Sequence, residues 1–219
     1  MRLIYVGDPM CSWCYGFGKE LAASLEAEQD LPLHIVVGGL RAGGTEVLDD
    51  AGKRFRLSHW ARVEAASGVP FNRDALMARA GFVYDTEPIC RAVVAARMLA
   101  PEAPQLDVFR ALQHAFYVEG LDTTDGPTLA RVAAKALTAA GNPVDAQTVL
   151  ETYQSAKAIE AAQQDFRTAR HWGIASFPAL LMEAGGELHL VSPGYASANE
   201  LRAGIRAVRE RAAGAVSSS

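Results

Sequence analysis

Three cysteines in 219 residues are too few for a structural disulfide framework. The histidines, His34, His59, His114, His171 and His189, are scattered without an H-x-x-x-H pair, so a four-ligand zinc site has no ligands at the usual short spacing. Basic residues are outnumbered, 21 Lys and Arg against 25 Asp and Glu, which leaves a net charge of −4 and no footprint for nucleic acid. No apolar run approaches a membrane span, and the N-terminus reaches Asp8 after too few apolar residues for a signal-peptide core. The chain therefore reads as cytoplasmic, with no membrane partner. No heptad pattern or long apolar stripe asks for self-association, so a monomer is expected. Hydrophobic residues make up 50% of the chain, enough to bury a substantial core.

Two of the three cysteines stand together in Cys11-Ser12-Trp13-Cys14, directly after the apolar run Leu3-Ile4-Tyr5-Val6. A thiol between a strand end and a helix start faces the positive end of the helix dipole, which favours thiolate over thiol. Two cysteines at this spacing can close a small disulfide with the first sulfur accessible and the second beneath it. Opening that bond is a two-electron reaction that needs no other cofactor: the first thiolate attacks a partner's sulfur and the second resolves the mixed disulfide. Cys11 is the candidate nucleophile and Cys14 the resolving thiol. Trp13, between them, is expected to pack partly exposed over the pair, control access to it and contact substrate. Cys90, beside Ile89 and ahead of Val93-Val94, reads as a small core residue.

Residues 3–7 and 33–37 read as buried strands with a helix over residues 18–28 between them, a β-α-β unit. From residue 41 strand-like alternation fades, and helical patterns run over residues 46–66, 73–79, 88–99, 106–118, 128–139 and 146–170, the last with a break after 153. The glycine-rich residues 38–44 follow a strand without G-x-G-x-x-G spacing or a P-loop lysine, so they read as a crossing hinge. After Trp172-Gly173 the period returns to two: residues 179–183 and 187–191 flank Gly185-Gly186 as an antiparallel hairpin. A last helix runs from a cap near Ser197 to residue 211, with 212–219 frayed. His59-Trp60 and His171-Trp172 read as packing residues at helix ends or faces. The order specifies an α/β thioredoxin fold with an all-helical domain inserted after the second strand: residues 1–40 and 155–219 form the discontinuous thioredoxin-like part, and residues 41–154 the insertion.

Three segments carry a resemblance: Asp8-Pro9-Met10-Cys11-Ser12-Trp13-Cys14-Tyr15-Gly16-Phe17 at the front, Thr86-Glu87-Pro88-Ile89-Cys90-Arg91-Ala92 in the insertion, and Gly173-Ile174-Ala175-Ser176-Phe177-Pro178-Ala179-Leu180 at the back. Together they resemble the DsbA family of thiol-disulfide oxidoreductases, in particular its cytosolic, FrnE-like branch. The resemblance implies that Pro178 is a cis proline facing the C-x-x-C and that Phe177 beside it contacts substrate. It also implies disulfide-bearing proteins or small disulfides as substrates, and an electron donor such as thioredoxin or glutathione, the latter a candidate co-substrate. Phe177 departs from the Thr or Val often found before that proline. Ser12-Trp13 likewise differs from the Pro-His and Gly-Pro pairs of the periplasmic oxidase and thioredoxin.

Two rival readings share these residues. Glutathione-dependent transferases and isomerases of the kappa-class and hydroxychromene-carboxylate isomerase type typically carry serine where Cys11 stands, and the complete C-x-x-C argues against them. A non-enzymatic redox sensor or zinc-binding protein would use Cys11 and Cys14 with a distant histidine and a partner.

Overall fold

The computed structural model describes residues 1–28 and 30–216. Four strands form one sheet in the order β2-β1-β3-β4: β1 (Arg2–Gly7), β2 (Leu33–Val37), β3 (Ala179–Ala184) and β4 (Glu187–Ser192). β1 runs parallel to β2, as a β-α-β crossover requires, and antiparallel to β3, which pairs with β4 in a hairpin. Gly185 and Gly186 close that hairpin with φ of 62° and 81°, the positive values that a two-residue turn matched to the strand twist demands. This is a thioredoxin fold whose second and third strands are separated by helices.

β1 is apolar from Leu3 to Val6 because alternate residues enter cores on both faces of the sheet. Leu3 and Tyr5 face the main core, whereas Ile4 and Val6 join Val36, Ala169, Ala179 and Leu181 on the opposite face of the sheet. Tyr5 lies 5.5 Å from Phe17 of α1 (Ser12–Leu25) and 5.2 Å from Phe109 of α5 (Gln105–Tyr117), ring centre to ring centre. The inserted helices and the sheet thus share a core. Within the insertion, Trp60 of α2 (Asp50–Ser67) stacks on Phe71 at 5.0 Å and meets Tyr117 edge-on at 5.2 Å, a geometry that aromatic quadrupoles favour.

Two helix starts differ from the sequence expectation. α1 begins at Ser12 rather than at residue 18, so Trp13 and Cys14 lie inside it. Gly16, inside this first part of α1, is a close-approach position: a Cβ there would stand 2.8 Å from Val63 Cγ1, so the missing side chain lets α1 and α2 touch. α2 begins at Asp50 rather than 46, because the Asp49 carboxylate accepts from Gly52 N at 2.7 Å and sets the N-cap there. Residues 41–43 instead turn and 44–49 are irregular, with Val47 bridging Val83. The remaining helices are α3 (Arg73–Ala78), α4 (Glu87–Leu99), α6 (Gly126–Ala139), α7 (Ala146–Gln154), α8 (Ala156–His171) and α9 (Ala198–Val216). Contrary to the expected fraying from residue 212, α9 continues to Val216; residues 217–219 of that expectation lie outside the described residues.

An ion pair fixes the sheet edge. Arg97 of α4 makes a two-pronged contact with Asp165 of α8, Nη1 to Oδ2 at 3.0 Å and Nη2 to Oδ1 at 3.1 Å. Asp165 Oδ2 also accepts from Val37 N at 3.1 Å, and Arg97 Nη1 donates to the Ile35 carbonyl, so both side chains satisfy the backbone of β2. Removing one partner leaves a largely buried charge and an unsatisfied amide. Asp165→Ala is therefore expected to lower unfolding stability by about 3 kcal/mol in urea titration; a loss within about 0.5 kcal/mol of that of a surface substitution would refute this account.

Candidate active site

The chain leaves β1 at Gly7 and turns through Asp8, Pro9 and Met10 into α1. Asp8 makes the turn with its own side chain: Oδ1 accepts from Met10 N at 2.8 Å, while its carbonyl accepts from Cys11 N at 3.0 Å. Cys11 is then the N-cap of α1, with extended backbone and its carbonyl accepting from Tyr15 N at 3.0 Å. No side chain caps this turn, so its free N–H groups remain available beside the Cys11 sulfur.

Cys11, Cys14 and Cys90 are all free thiols. Cys11 retains 8% exposure, against 0% for Cys14 and Cys90. Cys14 Sγ accepts from Asp8 N at 3.5 Å. Burial, reinforced by the adjacent Cys11, pushes the Cys14 thiol well above its ordinary pKa. The buried Tyr5 hydroxyl is raised by desolvation and by Cys14, although the two do not meet hydrogen-bond geometry. Cys90 donates to Asp8 Oδ2 at 3.6 Å from inside the core. Among the described residues no three His, Cys, Asp or Glu side chains cluster so as to hold a metal ion.

The Phe177–Pro178 peptide bond is cis, and the Phe177 carbonyl accepts from Cys11 Sγ at 3.6 Å. The Phe177 ring goes elsewhere: its edge lies where a Cβ on Gly38 would stand, at 2.2 Å from Cζ, and it packs with Trp172 and Ile174 against the second core cluster. The structure therefore brings the backbone of Phe177 to the cysteines and keeps its side chain out of the adjoining cavity. The glycines read as a hinge have a packing role, Gly38 under Phe177 and Gly39, at φ +62°, against Phe166.

That cavity, about 420 Å³, opens beside the cysteine pair. Cys11 and half-buried Trp13 line it from α1, Leu40 and Arg41 from the crossover after β2, and Phe55, Arg56 and His59 from α2. Trp13 is held at 5.6 Å from the Tyr195 ring, and Tyr195 donates to the Ala66 carbonyl at 3.1 Å. Burial and the charges of Arg62 and Arg56 lower the His59 pKa, which favours its neutral form. Trp60 is buried in the core while also lining the cavity, and His59 lines it too. Arg41, Arg56, Tyr84 and Asp8 escaped the sequence reading. Only Asp8, placed before the turn into the C-x-x-C, left a local signal.

A scan against family models and a search of curated proteins each returned no match. Solved structures do match. A Nitrosomonas europaea protein, provisionally named a protein disulfide isomerase, superposes with a TM-score of 0.84 and 32% identity over 96% of this chain and 98% of that one. The chain belongs to the DsbA family of thiol-disulfide oxidoreductases. It is a disulfide oxidoreductase/isomerase by that membership. The cytosolic disulfide reductase DsbM of Pseudomonas aeruginosa matches at a TM-score of 0.77 and 25% identity over 97% of this chain and 100% of that one, and has also been solved with glutathione. A 2-hydroxychromene-2-carboxylate isomerase, at 14% identity and a TM-score of 0.60 over 100% of both chains, shares the fold. Among the described residues, no helix of this DsbA-family chain is long and apolar enough to cross a membrane.

Two outcomes test the site's construction. Gly38→Ala must displace the Phe177 ring, so it is expected to cost about 1–3 kcal/mol in urea unfolding. Gly38→Ala in a Phe177→Ala background should recover most of that loss, and additive losses would show that the ring is not the obstacle. Burial raises the Asp8 carboxyl above its ordinary 3.8, so the folded chain keeps this proton to higher pH than the unfolded chain. Wild-type stability relative to Asp8→Asn should therefore fall as pH rises from about 4 through the folded titration, then level off. Parallel stability curves across the acidic range would contradict this.

Proposed function

We propose that this chain exchanges disulfides through Cys11 and Cys14, working in the cytoplasm as a reductase with glutathione or a thioredoxin-like dithiol as its thiol partner. The observation that carries this reading is the difference between its thiols. Cys11 borders the cavity at a helix N-terminus, while Cys14 lies one turn on, sealed from solvent. The likeness to the cytosolic disulfide reductase, also solved with glutathione, supports the direction and the partner.

The Cys11 thiolate attacks one sulfur of a substrate disulfide, forms a mixed disulfide and expels the other sulfur as a thiolate. Cys14 loses its proton, attacks the Cys11 sulfur and releases the second substrate thiolate. The enzyme dithiol is thereby oxidised by two electrons and the substrate reduced to two thiols; an external dithiol or glutathione resets the pair. Burial, and after it the adjacent Cys11, hold the Cys14 pKa up in the reduced pair, and a mixed disulfide at Cys11 removes the second of these causes. The Phe177 carbonyl, held against Cys11, offers an acceptor along which an extended substrate segment can pair. No cofactor beyond the cysteine pair is needed.

Titration of the pair against glutathione buffers, followed by Trp13 fluorescence and thiol trapping, should give one two-electron transition near thioredoxin's value of about −270 mV. Cys11→Ser should abolish turnover, and Cys14→Ser should accumulate a glutathione adduct on Cys11 detectable by mass. Absence of a reversible transition, or a Cys11→Ser variant that keeps full turnover with glutathione, would overturn the reading. The second result would favour a glutathione-dependent isomerase or transferase on this fold.

A further inference from the structure

The Cys11 cavity carries more positive charge than the exchange chemistry uses. Arg41 enters from the crossover and Arg56 from α2, and among the described residues neither guanidinium is paired with a carboxylate. Arg41 is exposed and anchored through its backbone, whereas the Arg56 side chain is itself held. The Arg41 backbone N–H donates to Thr86 Oγ1 at 3.1 Å, and its carbonyl accepts from Thr86 N at 3.5 Å. Arg56 lies over the Tyr84 ring at 4.1 Å, a cation-π contact, and donates through Nη1 to the Gly52 carbonyl at 3.2 Å. Tyr84 in turn donates to the Met10 carbonyl at 2.5 Å, which ties Arg56 through one ring to the residue preceding Cys11.

Burial lowers the Arg56 pKa, and the neighbouring Arg41 charge acts in the same direction. Two neighbouring cations, one exposed and one half-buried, are stabilised by an anion between them, and a planar guanidinium fork suits a carboxylate. The acids nearby do not fill this role. Glu46 and Asp49 share the adjoining cavity with Arg41 and Arg56, yet among the described residues neither forms an ion pair with them, and Asp49 Oδ1 is already engaged by Gly52 N at 2.7 Å. His59, its protonation disfavoured, adds a polar edge, while Trp13 and Phe55 supply apolar wall for a ligand's uncharged portion.

We propose that Arg41 and Arg56 form a carboxylate-binding pair at the mouth of the Cys11 cavity, which selects small disulfides bearing a carboxylate over uncharged ones. This rests on the disulfide exchange at Cys11 proposed above. The ligand's carboxylate seats between the guanidiniums, its disulfide reaches Cys11, and the reaction follows the same balance: two ligand thiols are released as the Cys11–Cys14 disulfide forms.

The test is single-turnover oxidation of pre-reduced protein by three disulfides of differing charge: glutathione disulfide, bis(2-hydroxyethyl) disulfide and cystamine. Stopped-flow fluorescence follows the reaction, with thiol trapping at the end point. The rate constant for glutathione disulfide relative to that for the hydroxyethyl disulfide should fall tenfold or more in Arg41→Gln and in Arg56→Gln. Arg56→Lys, which keeps the charge without the fork, should fall between. Should Arg56→Gln fail to fold, Arg41→Gln and the salt dependence of the wild type decide. Rising ionic strength should slow glutathione disulfide, leave the hydroxyethyl disulfide unaffected and speed cystamine. Equal rate ratios in wild type and variants, with no difference in salt dependence, would overturn the carboxylate pair while leaving the exchange at Cys11 standing. If no disulfide oxidises the Cys11–Cys14 pair, the exchange reading falls, and the pair's proposed role with it.

Discussion

The Asp8 carboxylate is the constraint on which the site depends. One oxygen shapes the turn by accepting from Met10 N, and the other accepts from Leu40 N at 2.7 Å and from the Cys90 thiol. A single buried group thereby ties the end of β1, the crossover after β2 and the core of the helical insertion to one point. Desolvation raises its pKa, and the hydrogen bonds from Leu40, Met10 and Cys90 offset part of that cost. Without those bonds, the segments that carry Cys11 and Arg41 would lose their common anchor. Cys90 belongs to this anchor, which gives a buried thiol in the insertion a structural purpose beside the reactive pair.

Above that anchor, position separates otherwise similar groups. Cys11 and Cys14 share one helix turn, yet one borders a cavity and the other is enclosed by Tyr5 and the backbone of Asp8. The insertion supplies what a bare thioredoxin-like sheet lacks. α2 brings Arg56, His59 and Phe55 over the cysteines, and Tyr84, between α3 and α4, connects Arg56 to the C-x-x-C turn. The sheet and α1 present the sulfur chemistry, and the helices shape the approach to it.

Much of this was legible in the chain. The apolar run before Cys11, the switch to helical periodicity after residue 41 and the Gly185-Gly186 turn each act locally, and the strands and most helices lie close to where those patterns put them. Tertiary contacts hid the rest. The start of α1 at Ser12 was missed, and the reason Gly16 is glycine, contact with Val63, belongs to a helix far along the chain. Arg56 sits in an ordinary charged helix stretch, and only the fold reveals the Tyr84 ring beneath it. At the position before Pro178 the Phe177 carbonyl meets Cys11, while the ring's destination depended on Gly38 across the sheet and left no local signal.

That last fit has an evolutionary consequence. Gly38 and Phe177 occupy one volume between them, contributed by segments on either side of the helical insertion. A lineage that exchanges the ring for a small β-branched residue vacates space that a side chain at position 38 can fill, and a side chain acquired first at 38 collides with the ring. The two positions are therefore expected to drift as a coupled pair, with glycine and a bulky ring inherited together or relinquished together.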